Sequence, residues 1–399
     1  DSSDLNGSEM DRSVGIVMPL ASAQASLTRV GGKGRSLAKL AAAGLPVPDG
    51  FLLSTDAYNR FVQDNELQEP IGQILADVRF GRADSLLAAS VGIRSLFETA
   101  TLPSAIADSI TQACAALGED EPPVAVRSSA TAEDLPDLSF AGQHDTFLYV
   151  RGTAAVLEAI RRCWTSLWTP RAIGYRMQMD IDHRVVSMGV VVQVMVPADV
   201  SGILFTANPT TGNRSELIVD ASFGLGQAVV GGDVTPDTYV LDRDSLKIKE
   251  CLIGGKEEMI VPAVDSGTMS KRVPAGKRNE PTLSPTILNA LASRSRDAEA
   301  VLGGQPQDIE WAVADGQIWL LQSRPITSLP PPPLIDVVWE PPSEGAVLIR
   351  RQVVENMPAP LSPLFDELYL QSGLEEAIDH FCVDFGMRID FDAFVERPF

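Results

Sequence analysis

The chain of 399 residues is poor in cysteine, in histidine and in positive charge. Its four cysteines, Cys114, Cys163, Cys251 and Cys382, lie too far apart in sequence to suggest a zinc site or a redox pair. So few cysteines in so long a chain argue against a disulfide framework and point to a reducing, cytoplasmic setting. Lys plus Arg total 32 against 53 Asp plus Glu, a formal charge of -21. That balance repels phosphate backbones and anionic membranes, so neither nucleic acid nor a membrane surface is expected as a partner. A single nucleotide is not excluded, because a few local cations, backbone N–H groups and a metal can hold it. No apolar run reaches the roughly 18 residues of a membrane span. The polar start, 1–13, lacks an apolar signal core and reads as a disordered tail.

A hydrophobic share of 45% allows a large core, and about 150 residues per domain suggests two or three domains or lobes. Apolar and β-branched runs predict strands at 14–20, 50–53, 122–126, 185–196, 202–207, 215–220, 238–241 and 247–252. Helical spacing predicts helices at 35–43, 86–99, 104–117 and 287–302, and one long helix over 154–178 interrupted near Pro170. Residues 254–282 carry little pattern and read as a loop or small subdomain. Residues 308–313 and 318–322 read as a hairpin around 314–317. Pro330-Pro-Pro-Pro333 marks a stiff linker, and short helices are expected beyond it at 364–372 and 375–381.

Several constellations could carry chemistry. Gly31-Gly-Lys-Gly34 lies between a strand and a helix, where glycines admit a phosphate and Lys33 could reach it. It lacks P-loop spacing, and alone it reads as a glycine turn with a surface lysine. Arg127-Ser-Ser-Ala-Thr131 follows a strand at an expected loop. Arg127 offers a planar fork for phosphate, or pairs with Glu133 and Asp134. The hydroxyls of Ser128, Ser129 and Thr131 could bond the same group or cap a helix. The stretch 140–146 could be a lid or a wall. The glycine-dense stretches 223–227 and 229–233 read as turns.

The hairpin makes the sharpest expectation. Asp308 and Glu310 share one strand face, as do Gln322 and Arg324. A two-residue loop at Asp315-Gly316 would set Glu310 opposite Leu321. A three-residue loop would set Glu310 opposite Gln322 and Asp308 opposite Arg324, gathering four polar groups on one face. The second is predicted, a face suited to Mg²⁺ and polyphosphate. The bland reading is a solvent-facing hairpin with a cross-strand ion pair.

Taken in order, these pieces resemble the ATP-binding domain of the family that contains pyruvate phosphate dikinase, phosphoenolpyruvate synthase and rifampicin phosphotransferase. The resemblance runs over about residues 28–328 and includes Gly202-Ile-Leu-Phe-Thr-Ala207, Phe223-Gly-Leu-Gly226, Asp308-Ile-Glu-Trp311 and Gln322-Ser-Arg-Pro-Ile-Thr327. It implies an α/β fold of ATP-grasp type, with lobes at 14–195 and 196–328 and the nucleotide between them. A linker at 329–334 and an appendage or start of a second domain at 335–399 would follow. It implies Lys33, Arg127 and Arg324 as catalytic phosphate-binding cations. It implies Gly142 and Thr146 as nucleotide contacts, Gln193 near the adenine, and Glu310 and Gln322 as Mg²⁺ ligands. The implied activity passes the β-phosphoryl group of ATP to a carrier histidine, then to a small-molecule acceptor such as a rifamycin, a phenol or pyruvate. None of His144, His183 and His380 sits in the family's carrier motif, which implies a carrier on a missing domain or partner subunit. Two departures, Asn208 for Asp and Gln227 for Glu, each remove a negative charge near the expected cleft. They leave a non-catalytic nucleotide-binding regulatory module as the alternative.

Overall fold

The computed structural model describes residues 15–79, 81–118, 121–131, 146–264, 266–327 and 329. The chain divides into two units, Asp1–Pro332 and Pro333–Phe399, and the described residues belong to the first. The predicted tail, Glu133, Asp134, Gly142, His144, the proline linker from Pro330 onward, and 335–399 with His380 lie outside the described residues. The described part is mixed α/β, built on two antiparallel sheets.

The first sheet holds β1 (Val17–Pro19), β2 (Gly50–Leu53), β3 (Val124–Ala130), β4 (Thr146–Val150) and β5 (Met188–Val194), in the order β1-β2-β5-β3-β4. Helix α1 (Leu27–Ala42) covers one of its faces. On the other lie α2 (Thr55–Asp64), α3 (Gln68–Ala76), α4 (Ala83–Thr99), α5 (Ser104–Ala116), α6 (Thr153–Thr165) and α7 (Pro170–Gln178). The central strands β3 and β5 are buried almost throughout because both faces are covered. Side chains alternate across them: Val126, Val190 and Val192 enter the large helical core, while Val191 and Leu52 pack with Leu37 of α1.

The second sheet has the order β13-β12-β6-β7-β8-β9, with β6 (Val200–Phe205), β7 (Glu216–Phe223), β8 (Asp237–Asp242), β9 (Ile248–Leu252), β12 (Gln307–Ala314) and β13 (Gln317–Pro325). One face forms a core of Leu204, Val219, Tyr239, Trp311 and Leu320 against Leu288 and Leu291 of helix Pro285–Val301. Leu40 of α1 joins this core, and the Leu320 N–H donates to Pro46 O at 2.8 Å. Helix α1 therefore packs against both sheets. No helix among the described residues is long and apolar enough to cross a membrane.

One expectation is corrected and two are refined. Arg127-Ser-Ser-Ala130 is not a loop but the second half of β3, and Thr146–Val150 is a strand that its weak alternation hid. The long helix over 154–178 is two helices, joined by the 3-10 turn Ser166–Trp168. Pro170 opens the second of these: Thr169 caps it, accepting from the Ala172 N–H at 3.2 Å, and proline suits the first helical turn. Residues 254–282 form a small subdomain, with the antiparallel pair β10 (Glu258–Pro262) and β11 (Thr268–Arg272) and the short helix Ala275–Arg278.

One buried carboxylate closes that subdomain at its base. Asp237 and Lys256 are both fully buried and ion-paired. Asp237 Oδ1 also accepts the Gly254 N–H at 2.9 Å, while Oδ2 accepts the N–H and hydroxyl of Thr282 at 2.8 and 2.9 Å. The start and the end of the segment are thus pinned on one side chain. Removing one partner of a buried pair strands the other's charge, which costs about 3–5 kcal/mol. Asp237→Ala is expected to lose stability on that scale in denaturant unfolding. The double variant Asp237→Leu with Lys256→Met should cost well below the sum of the two single changes.

Candidate functional site

The hairpin β12–β13 brings its four polar residues together by a route the spacing did not foresee. Glu310 lies opposite Gln322 and Asp308 opposite Arg324, as predicted, but the loop has two residues. Ala314 pairs with Gln317, and Asp315 and Gly316 both have positive φ, at 50° and 74°. That is the backbone of the tight Asp-Gly hairpin turn. The extra residue is Leu321, a β-bulge in β13 where the register shifts between Glu310 and Trp311. A bulge sets two residues opposite one. Leu320 can therefore enter the core beside Trp311, while Leu321 and Gln322 both line the cavity on the other face.

From the first sheet comes Arg127, buried on β3 on the face shared with Val191 and Gln193. Its Nη1 donates to Glu310 Oε2 and to Gln322 Oε1, both at 3.2 Å. Two oxygens from neighbouring strands of the second sheet thus converge on one cationic nitrogen of the first. Arg127 Nε, also buried, has no hydrogen-bond partner among the described residues. Arg324 pairs with Asp308 through Nε at 2.8 Å and Nη2 at 2.7 Å, nearer solvent. Burial pushes the Asp308 carboxyl above its ordinary range, Arg324 opposes this, and the charge on Glu310 adds to it.

Lys33 reaches β3 next to Arg127, donating to Ser128 O at 3.2 Å. The surrounding glycines serve packing. Gly31 breaks α1 with φ 70° and ψ 179°, and a Cβ there would stand 2.1 Å from Ser129 O. Only glycine allows both the conformation and the approach.

Between the sheets lies a cavity lined by Arg127, Gln193, Thr146, Glu310 and Gln322, with an apolar end at Ala125, Val194 and Ala312. Gln193 is buried and its Nε2 has no hydrogen-bond partner among the described residues. Lys33, Asp308 and Arg324 do not line it. The two departures separate. Asn208 does not line the cavity: its Oδ1 accepts the N–H groups of Thr210 and Thr211, and its Nδ2 donates to Glu216 at 2.9 Å. Its side chain holds a turn beyond the end of β6. Gln227 does line the cavity, and its Oε1 accepts from Thr268 Oγ1 at 3.1 Å. The spacing also missed Asp220, which shares the site face of the second sheet through the cross-strand row Glu310, Ile203, Asp220 and Thr238. A lone Asp in a strand carries no local signal. Among the described residues, no group of three or more His, Cys, Asp and Glu is placed to hold a metal ion.

Residues 27–332 match the family described as pyruvate phosphate dikinase, AMP/ATP-binding domain. A probable phosphoenolpyruvate synthase of Archaeoglobus fulgidus is 44% identical over 303 residues, covering 75% of this chain and 40% of that protein. A rifampicin phosphotransferase of Bacillus cereus is 42% identical over 308 residues, covering 77% and 35% respectively. Another, of Streptomyces sviceus, is 40% identical over 365 residues, covering 90% and 41%. The chain spans less than half the length of these relatives.

Asp220 supplies a test of the site face that needs no ligand. Burial raises its carboxyl above the ordinary Asp range, with the Thr238 hydroxyl opposing. Its ionised form therefore costs stability at neutral pH, and that cost vanishes once both folded and unfolded states hold the proton. Asp220→Asn, which keeps an acceptor for Thr238, is expected to raise Tm at pH 7. The gain should shrink as pH falls through the raised folded value and be gone below about 4, the ordinary Asp value. Thermal melts across pH would check it.

Proposed function

The chain belongs to the pyruvate phosphate dikinase AMP/ATP-binding domain family, and from that membership we propose that it is the ATP-binding component of a dikinase-type phosphotransferase. In this reading ATP lies between the two sheets in an ATP-grasp arrangement, gripped by lobes at 14–195 and 196–328. Residues 329–334 would link them to an appendage or second domain at 335–399. The β-phosphoryl group passes to a carrier histidine on another domain or partner subunit, and then to a small-molecule acceptor, with release of AMP and phosphate. The names of the relatives suggest two acceptors, a rifamycin-like hydroxyl compound and pyruvate. Few cysteines and the reliance on ATP suit the cytoplasm.

The observation that carries this reading is the convergence of Glu310 and Gln322 on the Nη1 of Arg127. Two oxygens aimed at one cationic point, a carboxylate and a carboxamide, suit a hard divalent cation. Glu310 and Gln322 would hold Mg²⁺, which when bound neutralises charge on the polyphosphate. Arg127 would then turn from these two oxygens toward phosphate, with its unpartnered Nε as an available donor. Lys33 and Arg324 flank it as further phosphate contacts. Together these cations would hold the phosphate chain in line for transfer, the main demand of phosphoryl-transfer chemistry. Gln193, its amide N–H groups unsatisfied at the apolar end, would face the adenine, with Thr146 and Gly142 as further nucleotide contacts.

Calorimetric titration of MgATP tests the reading. The wild-type chain should bind, and Glu310→Ala and Arg324→Ala should each weaken binding at least about tenfold, the loss expected for a charge-assisted contact. Unchanged affinity in both variants would refute the assignment. Gln227 in the cavity wall keeps the regulatory module as a second reading. A chain that binds MgATP but forms no AMP when supplied with a carrier-histidine domain would favour it.

A further inference from the structure

Helix α1 is spliced at its break by a side chain from another element. In an unbroken helix the Gly34 N–H would donate to Val30 O, four residues back. The conformation of Gly31 removes that rung. The hydroxyl of Ser129, on β3, stands in the gap. Its Oγ accepts the Gly34 N–H at 3.0 Å and donates to Val30 O at 2.6 Å. Ser129 is fully buried, so water could not easily replace it. The hydroxyl is the one common group that is donor and acceptor at once and small enough to fit there. It acts as the N-cap of the restarted helix, supplied across space because Gly31 at the break has no side chain to offer.

The consequence falls on Lys33, between Val30 and Gly34, the two residues that Ser129 ties. Its ammonium rests on Ser128 O, the carbonyl just before Ser129 and just after Arg127. We propose that Ser129 is a positioning residue for the phosphate site: by replacing the missing rung of α1 it fixes Lys33 beside Arg127. Ser129 touches no substrate in this account. The inference rests on the reading of Lys33 as a phosphate contact.

The test is a double-mutant cycle on MgATP affinity, measured by calorimetry in the full chain. Lys33→Ala should weaken binding, and Ser129→Ala should weaken it by about tenfold, the scale of a lost hydrogen-bonded alignment. In the Lys33→Ala background, Ser129→Ala should have almost no further effect. Hydrogen exchange over 30–36 should quicken in Ser129→Ala without nucleotide, since the Gly34 N–H loses its acceptor. If Ser129→Ala does not fold, Ser129→Cys, which keeps the volume and a weak donor, carries the same cycle. Equal losses in both backgrounds would make Ser129 a general stabiliser and overturn the proposal. So would unchanged affinity in Ser129→Ala alone. A Lys33→Ala variant that binds MgATP normally, while Glu310→Ala does not, would instead locate the failure in the reading of Lys33.

Discussion

The structure turns on a buried guanidinium held between two sheets. Arg127 is carried by the first sheet, and its described acceptors, Glu310 and Gln322, by the second. A charge taken out of water is costly unless it is paired and hydrogen-bonded. The closed arrangement of the sheets therefore depends on the register of β12 against β13, because that register delivers both acceptors to one point. The same polar contact that ties the sheets also sets the chemistry of the cavity between them.

Close approach of backbone elements surrounds this contact. The break at Gly31 lets α1 press on β3, and the Ser129 hydroxyl repairs the helix at the cost of no exposed polar group. On the far side, Asp237 gathers both ends of the 254–282 subdomain. The subdomain in turn meets the cavity wall, where the Leu225 N–H donates to Ile260 O at 2.8 Å and Thr268 holds Gln227. Its tip reaches the first sheet, the Gly267 N–H donating to Tyr149 O at 3.2 Å.

The two departures from the family's usual residues have different physical weight. Asn208 donates to Glu216 with an amide that an aspartate would lack, and a carboxylate there would face Glu216 with like charge. Its side chain also holds a turn, accepting from Thr210 and Thr211. Gln227 alone alters the cavity wall, where a neutral amide replaces an expected carboxylate.

By itself the sequence determined the α/β class, most strands, and the pairing of Glu310 with Gln322 and of Asp308 with Arg324. Those depend on local spacing, alternation and turn chemistry, which are written along the chain. It did not determine how the pairing arises. A tight Asp-Gly turn and a bulge at Leu321 together give the register that a longer loop would give, and the bulge answers to the core demand of Leu320 against Trp311. It could not assign a partner to Arg127, because Glu310 is 183 residues away and the local candidates were acidic. Nor could it separate a phosphate-cradling glycine turn from a packing one, or place Asp220 and Ser129 near the site. Those are contacts between distant strands and helices, decided only when burial forces each polar group to find its partner in three dimensions.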